Sequence, residues 1–203
     1  PEVLRLVNLL DKHAALHPTL SRRLRDMAYE ALLPKASEDA ESLKKLWASI
    51  PTSDRQSVPV ASMAASAFMK IGRQQEAADI LQKALAVQWD VRLLRAYRQC
   101  AAPEGSATLL SQIEHVEQWL RERPNDAELA LLLGALCQKQ KLWGKAQRHL
   151  EQAVLGASDR ITLQEAHLRL AQMYEVLGQP EAATTHFRLC ALTTQVSSPK
   201  SGN

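Results

Sequence analysis

His186 and Cys190 stand four residues apart, one turn along one face of a helical stretch. An imidazole and a thiol are among the groups that ligate haem iron, together with Met and Tyr. The plainer reading is a surface histidine beside a core cysteine. His115, His149 and His167 also fall on helical stretches, no two of them at metal-site spacing, and each reads as a solvated helix residue. Cys100, Cys137 and Cys190 are odd in number and form no C-x-x-C. Cys137 and Cys190 fall on the inward faces of their helices and read as small buried packers. Scattered single cysteines fit a reducing compartment. Gly144-Lys145 lies inside a helical pattern and is no phosphate loop. No H-E-x-x-H, G-x-G-x-x-G, triad or pair of carboxylates is legible, so no enzyme is expected. Arg22, Arg23 and Arg25 make the one dense basic cluster. It could face anionic lipid or propionate groups, or simply be a solvated helix face. Met27 and Met69 read as core, and Trp119 and Trp143 as packing at joints between helices. A formal net charge of +3 is too mild to imply nucleic acid.

The elements that would position these residues are helices. Of the 203 residues, 46% are hydrophobic and 23% charged, with only 7 Gly and 9 Pro. Ala, Leu, Gln, Glu and Arg dominate, and all favour helix. From Asp126 to Ser158 two helical patterns are broken near Lys141–Leu142. The first carries Leu129, Leu132, Leu133, Leu136 and Cys137 at three- and four-residue steps. The second carries Leu142, Ala146, Leu150, Ala153 and Val154. A break this short makes an antiparallel hairpin. Gly134 and Ala146 supply little side chain where the backbones come closest, and Leu150 fills the space beside them. Asn125 or Asp126 caps the first helix, after the breaker Pro124.

The hairpin recurs 37 residues on, with Ala171, Tyr174, Ala183, Phe187 and Cys190 in the places of Gly134, Cys137, Ala146, Leu150 and Ala153. It also occurs 69 residues earlier, about two periods of a 34-residue repeat, with Phe68, Gly72, Ala77, Leu81 and Ala84. The pattern resembles the tetratricopeptide (TPR) repeat, which implies an all-α fold. The expected form is a right-handed superhelix of antiparallel helix hairpins, a TPR-like α-solenoid.

One repeat domain is expected over 1–194, with hairpins at 18–49, 59–87, 90–123 (irregular), 126–155 and 160–194. Residues 1–16 read as a helix left from a preceding repeat, as though the chain were a fragment, and 195–203 as a disordered tail. In 18–49, Leu20, Leu24, Met27, Ala28 and Ala31 should point inward, Pro34 should end the first helix, and Ser37 should cap the second. Residues 51–59 read as a polar connector. No run is long and apolar enough to cross a bilayer, and no signal peptide is visible.

A narrower resemblance lies in Trp89-Asp90, Tyr97, Trp119-Leu120, Pro124-Asn125-Asp126 and the run Leu142-Trp143-Gly144-Lys145-Ala146. Over about 40–193 the chain is similar to the C-terminal region of the proteobacterial HemY family. That resemblance implies two transmembrane helices upstream of the repeats, the inner membrane of Gram-negative bacteria, and repeats on the cytoplasmic side. It implies a link to a late step of haem biosynthesis, as an organiser of partner enzymes or as a carrier of haem or porphyrin, with no cofactor required. A repeat adaptor for envelope assembly is the unrelated alternative.

Function in such a stack rests on the wall made by the first helix of each pair. By resemblance to TPR proteins, its outward residues contact a protein partner. The candidates are Arg22, Arg25, Tyr29, Ser62, Ser66, Met69, Lys70, Glu128, Leu131, Gln138, Lys139, Glu165, Leu168 and Gln172. The Lys and Asn of the carboxylate clamp found in chaperone-tail binders are replaced here by Ser62, Ser66, Leu131 and Ala135, so that mode is not expected. Trp89, Asp90, Gly134, Leu142 to Ala146, Ala183 and Phe187 are signature positions with a structural role.

Overall fold

Small residues and caps decide where these helices start and meet. The computed structural model describes residues 2–13 and 17–195, all helix or connection and no strand. The helices are α1 (Glu2–Lys12), α2 (Pro18–Ala36), α3 (Ala40–Ser49), α4 (Thr52–Arg55), α5 (Val58–Lys70), α6 (Gln74–Val87), α7 (Val91–Gln99), α8 (Ala107–Glu122), α9 (Ala127–Lys139), α10 (Trp143–Gly156), α11 (Arg160–Val176) and α12 (Pro180–Gln195). The far tail (196–203) and residues 14–16, where the first helix was expected to end, lie outside the described residues. Polar side chains cap the starts: Asp90 accepts from the Arg92 amide, Ser106 from Leu109, Asp126 from Leu129, and Asp159 from Ile161 and Thr162.

The chain forms two compact units, Pro1–Cys100 and Ala101–Asn203. This divides the pair expected over 90–123. Helix α7 packs on α5 and α6 in the first unit, whereas α8 packs on α9 in the second. The loop at 101–106 joins them in sequence.

Within the units, the hairpins α5–α6, α9–α10 and α11–α12 are the best packed pairs. Their turns are the same structure three times. The Arg73 amide donates to the Phe68 carbonyl, Leu142 to Cys137 and Gln179 to Tyr174, each at 2.9 Å. The amides of Gly72, Lys141 and Gly178 each donate to the carbonyl three residues back, at 3.0 Å. This is a left-handed helix end that satisfies otherwise orphaned carbonyls. The turn residue has φ of 76° at Gly72, 61° at Lys141 and 69° at Gly178. These are the positions related by the two sequence offsets, so backbone geometry fixes the repeat register independently of side chains.

The joint also follows the sequence. A methyl group added at Gly134 would lie 2.7 Å from Leu150 Cγ, which is why that position lacks one. Ala146, Leu150 and Ala153 are fully buried, as are Ala77, Leu81 and Ala84 in the first unit. Helix α9 is buried at every position from Glu128 to Cys137.

Several expectations change in the first unit. Leu20 and Met27 are exposed, and the buried positions of α2 are Ser21, Ala28, Tyr29 and Leu33. Ala31 is exposed as well. The buried stripe of α2 is therefore rotated from the expected one and shares Ala28 with it. Pro34 lies inside α2, which runs two residues further. Ser37 closes that helix, its amide donating to Leu33 O and its hydroxyl to Pro34 O, while Asp39 caps α3 instead. The polar connector contains the single turn α4.

Candidate functional site

In the first unit the predicted wall is built by α2 and α5, which pack side by side. Beneath it lies a buried polar cluster. Tyr29 Oη donates to Asp54 Oδ2 at 3.0 Å, Arg25 Nε lies 2.9 Å from the same oxygen, and Arg25 also donates to Ser21 Oγ at 2.7 Å. Burial, with the Asp54 carboxylate beside it, pushes the Tyr29 phenol well above its ordinary range. Burial also raises the neighbouring Asp26 carboxyl, against the pull of Arg22. Tyr29 is therefore a core residue 3% exposed, not an outward contact. Arg25 is half-buried and committed to Asp54, which splits the basic cluster and leaves Arg22 and Arg23 at the surface.

A groove of about 360 Å³ lies between α2 and α5. Glu30, Pro34 and Ser37 form one side and Ser62, Ser66 and Lys70 the other. Three of the predicted contacts are thus brought together. The Ser62 hydroxyl is enclosed and finds no hydrogen-bond partner among the described residues. Glu30, Ser37 and Met63, which also line the groove, were missed. The shift of the apolar stripe on α2 hid the first two. Met69 turns elsewhere: its sulfur lies 3.3 Å from Cys100 Sγ. Burial pushes the Cys100 thiol up to about 12 and the Cys137 thiol up to about 11, which makes both inert packers.

In the second unit the wall is α9 and α11, and burial removes two more candidates. Leu131 is fully buried, and Glu128 is 5% exposed, accepting from Thr162 Oγ1 at 2.8 Å. Gln138 donates to the Arg169 carbonyl, Lys139 to the Ala101 carbonyl, and Glu165 pairs with Arg169 at 2.7 Å. Gln172 is exposed and Leu168 half-buried.

The histidines also depart from expectation. His149 and His167 are buried, not solvated. His167 Nδ1 and His186 Nδ1 meet at 3.1 Å, one donating and the other accepting, and Tyr174 stacks on His186 at 5.5 Å between ring centroids. Burial holds both imidazoles below their ordinary pKa; the His186 charge adds to this at His167, and Glu151 opposes it at His186. Burial also lowers His149, with Gln152 opposing. Cys190 is half-buried one turn past His186. Among the described residues no three His, Cys, Asp or Glu side chains are grouped to hold a metal ion.

The signature positions occupy structural places. Trp89 precedes the cap Asp90, whose carboxyl is held low by the Arg92 side chain. Leu142 is the exposed residue before α10, Trp143 and Gly144 begin that helix, and Lys145 pairs with Glu117 of α8 at 3.0 Å. Ala183 is buried. Phe187 is 37% exposed.

Fold and site together define an all-α, TPR-like helical-repeat protein with grooves between its helices. No protein-family model matches the chain, and no curated protein matches it in sequence. Similar solved structures include a crystal structure of MamA protein, 14% identical with a TM-score of 0.49, covering 87% of this chain and 98% of that one. MamA AMB-1 is 16% identical with a TM-score of 0.48, covering 86% and 98%. MamA MSR-1 is 15% identical with a TM-score of 0.46, covering 86% and 99%. Likenesses this distant say nothing of function. No helix among the described residues is long and apolar enough to cross a membrane.

Proposed function

We propose that this chain is a non-catalytic scaffold that holds a protein partner in the groove between α2 and α5. The observation that carries the reading is the groove itself, which brings exposed Ser66 and Lys70 of α5 together with exposed Glu30 and Pro34 of α2. A partner segment laid in it would meet the Ser66 hydroxyl and the Pro34 ring, while Glu30 and Lys70 select its charge.

The finer reading is an organiser of haem-biosynthesis enzymes at the inner membrane. It rests on the resemblance of the Trp89-Asp90 and Leu142–Ala146 segments to HemY proteins. Direct carriage of haem or porphyrin is the second reading, favoured by the convergence of His167, His186 and Tyr174 on one spot. An adaptor for envelope assembly is the third.

The test is photo-crosslinking in cells from probes placed at Ser66 and Lys70, with exposed Gln75 on α6 as control. A discrete protein adduct from the groove and none from Gln75 supports the scaffold, and no adduct, or the same adduct from all three, overturns it. A haem-pathway enzyme in the adduct supports the finer reading, and an envelope-assembly protein the adaptor. Saturable one-to-one haemin or protoporphyrin binding with a shifted Soret band supports the carrier.

A further inference from the structure

A second groove in the first unit, away from the α2–α5 wall, has the composition of a small-molecule site. It encloses about 420 Å³ between α3–α4 on one side and α6 on the other, with Phe68 as its floor. That volume falls within the range of about 300–1,000 Å³ usual for such sites. Trp47 stands edge-on to Phe68, with ring centroids 6.5 Å apart. The Arg55 guanidinium lies 5.6 Å from the Trp47 ring centroid, fixed by hydrogen bonds to the carbonyls of Ile50 and Ala48. Its charge is preorganised and has no carboxylate partner among the described residues.

The other wall is one face of α6: Glu76, Asp79, Ile80 and Lys83. The equivalent positions of α10 are Lys145, Arg148, His149 and Gln152, which line a groove of about 400 Å³ in the second unit. There the groove is bridged, by Lys145 to Glu117 at 3.0 Å and by Gln152 to the Pro124 carbonyl at 2.9 Å. In the first unit nothing among the described residues bridges it. Glu76 pairs with Arg73, and Asp79 accepts from Gln75, both at the start of the same helix. Anionic and cationic groups therefore line an open gap whose apolar part is Trp47, Phe68 and Ile80, without meeting across it.

We propose that this groove binds a free zwitterionic amino acid with a bulky apolar side chain. The side chain packs on Trp47 and Ile80, the carboxylate meets Arg55 and Lys83, and the ammonium meets Asp79 and Glu76. The occupant supplies the cross-groove pairing that the second unit makes for itself with one ion pair and one hydrogen bond. A purely anionic ligand would leave Asp79 and Glu76 facing it, and a purely cationic one would face Arg55 and Lys83.

Calorimetric titration of the whole chain with L-phenylalanine, L-leucine and L-tryptophan tests this. At least one should bind saturably, one to one, at millimolar concentration or below. Its N-acetyl and amide derivatives should each bind at least about tenfold more weakly, the loss of one charge-assisted hydrogen bond. Asp79→Asn should weaken the free amino acid and leave the N-acetyl derivative unchanged. Lys83→Gln should weaken the free amino acid and leave the amide unchanged. Asp79 is half-buried and Lys83 exposed, and unchanged circular dichroism confirms the fold. Absence of saturable binding by all three amino acids, or equal binding of free and blocked forms, overturns the proposal. So does a variant that weakens the matched and blocked forms alike. None of these outcomes bears on the α2–α5 groove.

Discussion

The hairpins α5–α6 and α9–α10 are one design carried out twice with different outer surfaces. Their inner positions agree: Ala77, Leu81 and Ala84 in one and Ala146, Leu150 and Ala153 in the other are all fully buried. Their backbones agree down to the left-handed turn residue. They differ where a side chain is free to. The first has Ala65 at the closest approach and the second Gly134; the first turns on Gly72 and the second on Lys141. On the outer face of the second helix, Glu76 and Asp79 become Lys145 and Arg148, and an open groove becomes a bridged one. Packing fixes the joint, and the exposed positions of the same repeat are left to carry recognition.

The largest effect should come from emptying the shared joint. Leu81→Ala and Leu150→Ala each delete a fully buried side chain and should cost about 2–5 kcal/mol in chemical unfolding. Similar losses in both sharpen the equivalence. A loss in one alone breaks it.

The turn offers a smaller test of opposite sign. Lys141 holds a conformation that disfavours a side chain, where its two counterparts are glycine. Its ion pair with Glu104 is exposed on both sides and worth little. Lys141→Gly should therefore stabilise the second unit by about 0.5–1 kcal/mol, whereas Gly72→Lys should destabilise the first.

The smallest effect is the pH dependence that three histidines give the second unit. His149, His167 and His186 are held below their ordinary pKa of 6.5, so the folded state binds fewer protons than the unfolded one. Their contribution is complete above pH 6.5 and is lost as pH falls through the lowered folded values. Glu151, which faces His186 from α10, moderates this loss. Melting temperature should fall between pH 7.5 and 5.5, and His186→Gln should flatten the slope. A slope that the variant leaves unchanged would place the titration elsewhere.

What the sequence showed follows the same division. The joint was legible because Gly134 and Ala146 are small where helices must touch. Asp126 was legible as a cap because a side-chain oxygen beside a helix start has one evident use. Tyr29, Glu128, His149 and His167 were misplaced because periodicity sends polar residues outward. Tyr29 and Glu128 are buried against partners distant in sequence, Asp54 and Thr162, which no local pattern reveals. Helix α4 is too short for any period, and the groove beside it, with Arg55 over Trp47, was therefore invisible. Pro34 misled because a proline near a helix end removes one donor without preventing one more half-turn.

The central claim is that Ala146 sits where α9 and α10 meet with no free volume, as the repeat register requires. Thermal and denaturant unfolding of Ala146→Leu tests it most directly. A loss of about 1–3 kcal/mol from overpacking is expected. Unchanged stability would contradict it, and with it the equivalence of the two hairpins.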